Sequence, residues 1–432
     1  MPQATLPRLA LKGGEAVRSK PFHDWPLSGP EEEEALLRVL RSGKWWRYAF
    51  GQGVELAEPE GETVAEAVRF QREFARAHDC RYAVVTANGT ASLEMGLRAM
   101  NLNIGDEVIV PAYTYVASAT CVLQNNLVPI FVDVQPDTYN IDPKRVEEAI
   151  TGRTRAIMAV HFGGQLADMD ALMAISKRRG IPLVEDAAHA HLCEWRGKKA
   201  GSFGLFGSFS FQAAKNMTSG EGGIVTTNDR AIAETCESLL WAGRKMGRPW
   251  YEHHRLGWNY RITEFQSAIL HCQFQRLSEQ IDRRKPNAAY LTEQLQAIEG
   301  IAPLATDPRA TRHGHHIYMF RYDQKRIGLA RELFIRALNA EGIPAFSGYT
   351  FPLYKNPMFL NKQFINGSFP LGTAYHDDVD YAKFEAACPV SERACRSEAV
   401  WLPHNAFLGT RQDMDDIIVA VRKVLAQKEQ LA

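Results

Sequence analysis

Tyr82-Ala-Val-Val-Thr86, then Ala91–Met100, then Glu107-Val-Ile-Val-Pro111 is the stretch that decides the fold. Two short, unbroken apolar runs flank a segment with helical periodicity. A half-exposed strand would alternate apolar and polar residues. These runs do not, so both of their faces are covered. The unit then repeats. Ala117–Gln124 has helical spacing and precedes Pro129–Val134. Arg155–Val160, Pro182–Glu185, Gly207–Phe211 and Gly223–Thr227 continue the series. Buried strands joined by helices predict a three-layer α/β domain with a mostly parallel sheet. The alternation stops near Gly300. Thr306–Gly314 is rich in turn formers and charge. It is followed by strand-like Ile317–Tyr322, helical Leu329–Glu341, strand-like Ile343–Ser347 and a closing helix, Gln412–Lys428. The expected division is a large unit over 1–300, with an N-terminal segment and a loop insertion at 48–68, and a smaller α+β unit over 301–432.

Lys and Arg total 50 and so do Asp and Glu, which leaves no electrostatic case for nucleic acid or an anionic membrane as partner. With 45% hydrophobic and 23% charged residues the chain reads as globular, not disordered. No apolar run approaches the ~18 residues of a membrane span. The start, Met1-Pro2-Gln3, lacks the basic stretch and apolar core of a secretion signal, so the cytoplasm is the expected compartment. Seven scattered cysteines without a Cys-x-x-Cys pair argue against a disulfide framework or structural zinc. His313-Gly314-His315-His316 has no Cys or carboxylate close by in sequence, and no metal is expected there. The insertion Tyr48–Val68 holds five acidic residues and three glycines. It reads either as a surface loop leading into a helix or, because Trp45-Trp46 precedes it, as a lid.

Three features carry chemistry when taken together. Asn88-Gly89-Thr90-Ala91-Ser92 follows a strand and opens a helix, where free N–H groups and the helix dipole favour a phosphate. Val184-Glu185-Asp186-Ala187-Ala188-His189 delivers a carboxylate at a strand's C-terminal end, the edge where open α/β sheets bind ligands. Lys215 stands in a loop between two strands, in Ser210-Phe211-Gln212-Ala213-Ala214-Lys215-Asn216, followed by Gly220, Gly222 and Gly223. Partial desolvation there would lower the lysine pKa and make its amine nucleophilic. Each feature alone has an ordinary explanation: a helix cap, a satisfied polar group, a solvated charge. A phosphate seat, a strand-end Asp and a downstream Lys together describe a site for pyridoxal 5′-phosphate. The lysine would form a Schiff base with its aldehyde, and the Asp would keep the pyridinium nitrogen protonated. Tyr115, in Pro111-Ala112-Tyr113-Thr114-Tyr115, is the candidate to face the ring, with Tyr113 assigned to the core. His161 follows a strand at the same edge and fits either a site role or a structural one.

The motifs Asn-Gly-Thr-Ala-Ser, Pro-Ala-Tyr-Thr-Tyr, Glu-Asp-Ala-Ala-His and Lys-Asn-x-Thr-x-Gly-Glu-Gly-Gly, in this order, resemble the DegT/DnrJ/EryC1/StrS family of pyridoxal-phosphate aminotransferases. The resemblance runs from about Leu9 to the C-terminus. It implies the aspartate aminotransferase-like (type I) fold and a homodimer with shared active sites. It places Lys215 on the Schiff-base lysine, Asp186 on the pyridine partner and His189 on the contact to the ring's phenolic oxygen. Gly89, Thr90 and Ser210 fall on phosphate contacts and Tyr115 on the stacking aromatic. Gly257-Trp258-Asn259-Tyr260-Arg261 matches a segment whose Asn reaches the neighbouring subunit's phosphate, so Asn259 is expected to act in trans. One branch of the family replaces the lysine with histidine and dehydrates; retention of Lys215 argues for transamination.

Within the family, Ser42-Gly43-Lys44-Trp45-Trp46-Arg47 and Phe211-Gln212 resemble two branches: the glutamine:scyllo-inosose (cyclitol) aminotransferases and 3-amino-5-hydroxybenzoate synthase, an aromatising enzyme. Trp45, Trp46, His161, Gln212 and Tyr349 are the substrate candidates. The activity so implied is ping-pong transfer of an amino group from L-glutamine or L-glutamate to a cyclic keto-sugar or keto-cyclitol, with pyridoxamine 5′-phosphate as intermediate. The alternatives are the aromatising reaction, a lyase or desulfurase on the same fold, and a non-catalytic cofactor-binding regulator. No cysteine in an evident mobile loop supports a desulfurase.

Overall fold

The computed structural model describes residues 8–51, 64–364 and 370–431. Residues 52–63, the middle of the acidic insertion and of the lid reading, lie outside the described residues. Seven strands form the main sheet: β1 (Tyr82–Thr86), β2 (Glu107–Pro111), β3 (Val128–Val132), β4 (Thr154–Val160), β5 (Leu183–Asp186), β6 (Gly207–Ser210) and β7 (Gly223–Thr227). Their order across the sheet is β1-β7-β6-β5-β4-β2-β3, and β7 alone runs antiparallel to its neighbours. The unbroken apolar runs predicted this. Val85, Ile109, Met158, Val184 and Phe209 are all 0% exposed, because helices cover both faces. Each such side chain contributes roughly 1.5–3 kcal/mol by burial. The sheet therefore holds rigidly while its carboxyl edge carries polar groups.

Helix α1 (Gly89–Ala99) follows β1 and α2 (Ala117–Gln124) follows β2. The long helix α3 (Glu264–Gln296) joins two apolar clusters. Its Leu270, Leu277 and Ile281 pack with the main sheet, and its Ala288, Leu291 and Leu295 with a second cluster. That second cluster surrounds a three-stranded antiparallel sheet of β8 (Ile301–Pro303), β9 (Ile317–Tyr322) and β10 (Ala399–Pro403), with helices α4 (Arg331–Ala340) and α5 (Arg411–Ala426).

Two expectations change. Ile343–Ser347 is not a strand. Only Phe346 pairs, exchanging backbone hydrogen bonds with Trp401 at 3.0 and 2.8 Å. The chain then turns away at Gly348, packed so tightly on the Trp401 indole that a Cβ would meet it at 2.4 Å. The remaining strand of this sheet is instead β10, nearly a hundred residues from β8. The N-terminal segment, grouped by sequence with the large unit, packs on the second cluster. Leu9 is 0% exposed there, and the N–H groups of Ala10 and Val17 donate to Glu341 Oε1 and Oε2 at 2.9 and 3.0 Å. No helix among the described residues is long and apolar enough to cross a membrane.

Candidate active site

The carboxyl ends of β1, β2, β4, β5 and β6 share one edge, where a cavity of about 710 Å³ opens. On its α1 side, the Asn88 side chain caps the helix by accepting from the Ala91 N–H at 2.8 Å. The N–H groups of Gly89 and Thr90 take no acceptor among the described residues, and both residues line the cavity. Gly89 has to be glycine: a Cβ would sit 2.6 Å from Ser210 Cβ, so a side chain would push α1 off the end of β6. Ser210 is 8% exposed, also lines the cavity, and its Oγ accepts from the Gln212 N–H at 3.3 Å. Two N–H groups at a helix start and a hydroxyl beside them are donors of the kind that an anion takes.

At the end of β5, Asp186 is 6% exposed. Its Oδ2 accepts from Ser118 Oγ at 2.7 Å and its Oδ1 from the Ala188 N–H at 3.2 Å. His189 Nδ1 accepts from the Gly163 N–H at 3.3 Å, which leaves the proton of the neutral ring on Nε2. Burial and then the nearby Lys215 charge hold this imidazole well below the usual histidine range, so it stays neutral. Lys215, in the loop between β6 and β7, is half-buried and lines the same cavity. Loss of solvent around its ammonium lowers the pKa to about 8, with the Asp186 charge pulling the other way.

Tyr115 lines the cavity and is 60% exposed, whereas Tyr113 is 1% exposed and accepts from Trp401 Nε1 at 3.2 Å in the core. Gln212 lines the cavity, its Oε1 held by the Ala214 N–H at 2.8 Å.

Five candidates stand elsewhere. His161 is 0% exposed, fixed between Glu185 Oε2 at 3.0 Å and the Ala167 N–H at 3.3 Å, and does not line the cavity. Tyr349 packs on Tyr113, Phe162 and Trp401 beside it. Trp45 lies on Phe265. Trp46 lies against Trp241 with the Arg261 guanidinium over its ring. Both tryptophans are exposed, 54% and 40%, and do not line this chain's own cavity. Asn259 is exposed and also outside it.

The cavity wall holds residues that the sequence reading missed: Glu94, Gln124, Glu221 and Tyr260. Glu94 is 6% exposed, and burial raises its carboxyl above the usual range although the Tyr260 hydroxyl donates to it at 3.3 Å. The available signal was helical period, since Glu94 lies one turn after Thr90 on the same face of α1.

Such a fold with such a cavity defines a pyridoxal-phosphate-dependent aminotransferase. The model of the DegT/DnrJ/EryC1/StrS aminotransferase family matches residues 59–422, and the chain belongs to that family. L-glutamine:2-deoxy-scyllo-inosose aminotransferases from Streptoalloteichus tenebrarius and Streptomyces fradiae are each 38% identical to it, over 98% of this chain and 99% of theirs. The crystal structure of 3-amino-5-hydroxybenzoic acid synthase superposes with a TM-score of 0.83 at 34% identity, covering 96% of this chain and 100% of that one.

The residues present fit the cofactor. The unpartnered N–H pair at Gly89 and Thr90 suits a phosphate. The buried Asp186 carboxylate suits a protonated ring nitrogen. The Lys215 amine, without a carboxylate bond among the described residues, suits a covalent link to an aldehyde.

Proposed function

We propose that this enzyme moves an amino group from L-glutamine, or L-glutamate, to a cyclic polyhydroxylated ketone of the keto-cyclitol class, in the cytoplasm and as a homodimer. The observation that carries the reading is the meeting of Lys215, Asp186 and the α1 start in one cavity. The relatives named for 2-deoxy-scyllo-inosose, similar over nearly the whole chain, support the acceptor class. The exposed position of Asn259 outside its own cavity supports its action in the partner's site.

In this reading Gly89, Thr90 and Ser210 would hold the cofactor phosphate, Tyr115 would face the ring and His189 Nε2–H would donate to its phenolic oxygen. Asp186 would hold the ring nitrogen's proton through a charge-assisted hydrogen bond. When bound, the cofactor supplies an electron sink and, as pyridoxamine 5′-phosphate, carries the amino group between the two half-reactions. Lys215 Nζ, as a free amine, would be the base that takes the proton from the donor's α-carbon and delivers it to the carbon on the far side of the transferred nitrogen, two atoms along. A pKa near 8 suits that exchange in both directions at neutral pH. In the second half-reaction the same amine moves the proton in the reverse sense, so the ketone gains the nitrogen. Ser118 keeps Asp186 in place throughout. The division of the chain into a large and a small unit near residue 300 belongs to the same proposal.

The test is a single turnover. Enzyme loaded with the amine form of the cofactor is mixed with 2-deoxy-scyllo-inosose, its 3-amino analogue and nucleotide-linked keto-sugars, and the amine product is read by mass. Amination of a cyclitol ketone supports the reading, and amination of the nucleotide-sugars alone overturns it. The likeness to 3-amino-5-hydroxybenzoic acid synthase favours a second reading, in which the product would be aromatic and absorb in the near ultraviolet.

A further inference from the structure

The loop that carries Lys215 is held from outside the main sheet. Trp25, in the N-terminal segment, donates its Nε1–H to the Ala213 carbonyl at 2.9 Å. His404, immediately after β10, donates its Nε2–H to the Ala214 carbonyl at 3.1 Å. These are the two carbonyls that precede Lys215. The tautomer of His404 is set behind it, because its Nδ1 accepts from Arg284 Nη2 at 3.2 Å. Trp25 stands edge-on to His404 with ring centroids 4.4 Å apart, and the Arg284 guanidinium lies 6.0 Å from the Trp25 ring. On the other side of the lysine, Asn216 donates to the Gly314 carbonyl at 2.7 Å and accepts from His316 Nδ1 at 2.9 Å. Ala213 and Ala214 are themselves exposed and bury no apolar anchor.

Arg284 is the unusual member. It is 0% exposed on α3, forms no ion pair among the described residues, and its Nε and Nη1 have no hydrogen-bond partner. A buried guanidinium without a carboxylate is costly. Burial pulls its pKa down to about 9. Packing alone would be served better by an apolar residue. What the arginine provides is a donor that is still protonated at neutral pH, so His404 must present its own proton to the loop.

We infer that Trp25 and His404, the latter oriented by Arg284, are positioning residues that set where the Lys215 amine stands in the cavity. The inference rests on the proposed role of Lys215 as the cofactor's lysine. Its consequence is mechanical. Trp25 and His404 reach the loop from parts of the chain that pack on α3, so the lysine's place depends on how that part seats against the main sheet. A shift of about 1 Å at a reacting group can cost on the order of a hundredfold in rate.

Asp186, His189, His191, His316 and His404 are the titratable groups that act on or near Lys215, and the histidines are neutral at pH 7 because burial lowers their pKa values. Loosening the loop would return water to the ammonium and raise its pKa from about 8 toward the ordinary ~10.4.

The test uses the full-length protein and three variants: W25F, H404F and H404Q. Glutamine can donate where His404 Nε2 does and accept where its Nδ1 does. The cofactor-free proteins are labelled with trinitrobenzenesulfonate across pH, and modification of Lys215 is followed by peptide mass mapping. The holoenzymes give kcat and KM. The expected result is a rise of at least one unit in the Lys215 labelling midpoint for W25F and H404F. Their kcat falls between about tenfold and a hundredfold with KM for both substrates within twofold, and H404Q restores both. If H404F does not fold, W25F, at a half-buried surface position, decides alone. An unchanged midpoint and kcat in W25F and H404F, or a change in KM only, overturns the inference. In the wild type, borohydride reduction with pyridoxal phosphate tests the separate reading on which it rests: no label at Lys215 sinks that reading and not merely this one.

Discussion

Glu185 and Asp186 are neighbours at the end of β5, yet they serve opposite faces of the sheet, as successive residues of a strand must. On one face Glu185 is 0% exposed and saturated. It accepts from His161 Nε2 at 3.0 Å and from the N–H groups of Gly201, Phe203 and Gly204 at 2.7, 2.8 and 2.8 Å. On the other face Asp186 takes one hydroxyl and one N–H and still lines the cavity. The same contrast holds for the histidines. His161 on the Glu185 side has a carboxylate partner. His189, His316 and His404, grouped near Lys215, have none among the described residues. A completed polar network stabilises, whereas an incomplete one at a sheet's carboxyl edge leaves valences for a ligand.

The largest test of that contrast needs no substitution. Burial lowers the pKa of His189, His316 and His404, and of His78 and His191, the last two to about 3. Each folded pKa lies below the unfolded ~6.5, so in acid the unfolded chain binds protons that the folded one refuses. Stability is therefore full above pH ~6.5 and falls as pH drops toward the folded values. Each histidine removes about 1.4 kcal/mol per pH unit in that window. Their contributions act in the same direction, so stability falls as pH drops below ~6.5. Urea midpoints measured between pH 7 and pH 5 should drop steeply; a flat profile would show that these rings are not held neutral.

Substitutions then separate the two faces. Lys215→Ala should lower turnover by at least about a thousandfold and abolish the cofactor's covalent absorbance band, with the circular dichroism spectrum unchanged. Asp186→Asn should cost about a hundredfold or more in kcat and little stability. Glu185→Gln should do the reverse, losing about 1–3 kcal/mol in urea unfolding with turnover per folded molecule within twofold. If Glu185→Gln proved inactive but stable, the assignment of the two faces would be inverted. Tyr115→Ala should be the mildest, weakening cofactor binding by about two- to tenfold, read by equilibrium dialysis.

Much of this was legible in the chain itself. The unbroken apolar runs gave the seven strands to within a residue or two, because strands buried on both faces have nothing else to be. The three motifs around Gly89, Asp186 and Lys215 are each local, spanning a strand end and the turn after it, so their meeting followed from parallel topology. What stayed hidden was long-range. Ile343–Ser347 has the composition of a strand, but its partner Trp401 allows only one bridge before Gly348 turns the chain aside. His161 stands at the right edge, and only the Glu185 carboxylate, on the far face, shows that it points away from the cavity. Glu94 and Tyr260 lie 166 residues apart and become neighbours only where the chain before α3 returns to α1. Trp25 and His404 carry no motif at all; their meaning lies in the two carbonyls they hold.

The most direct measurement is borohydride reduction of the purified protein in the presence of pyridoxal 5′-phosphate, followed by peptide mass mapping. One stable pyridoxyl adduct is expected, on the peptide that contains Lys215 and on that nitrogen. An adduct confined to other lysines, or no adduct in a folded and soluble protein, would contradict it.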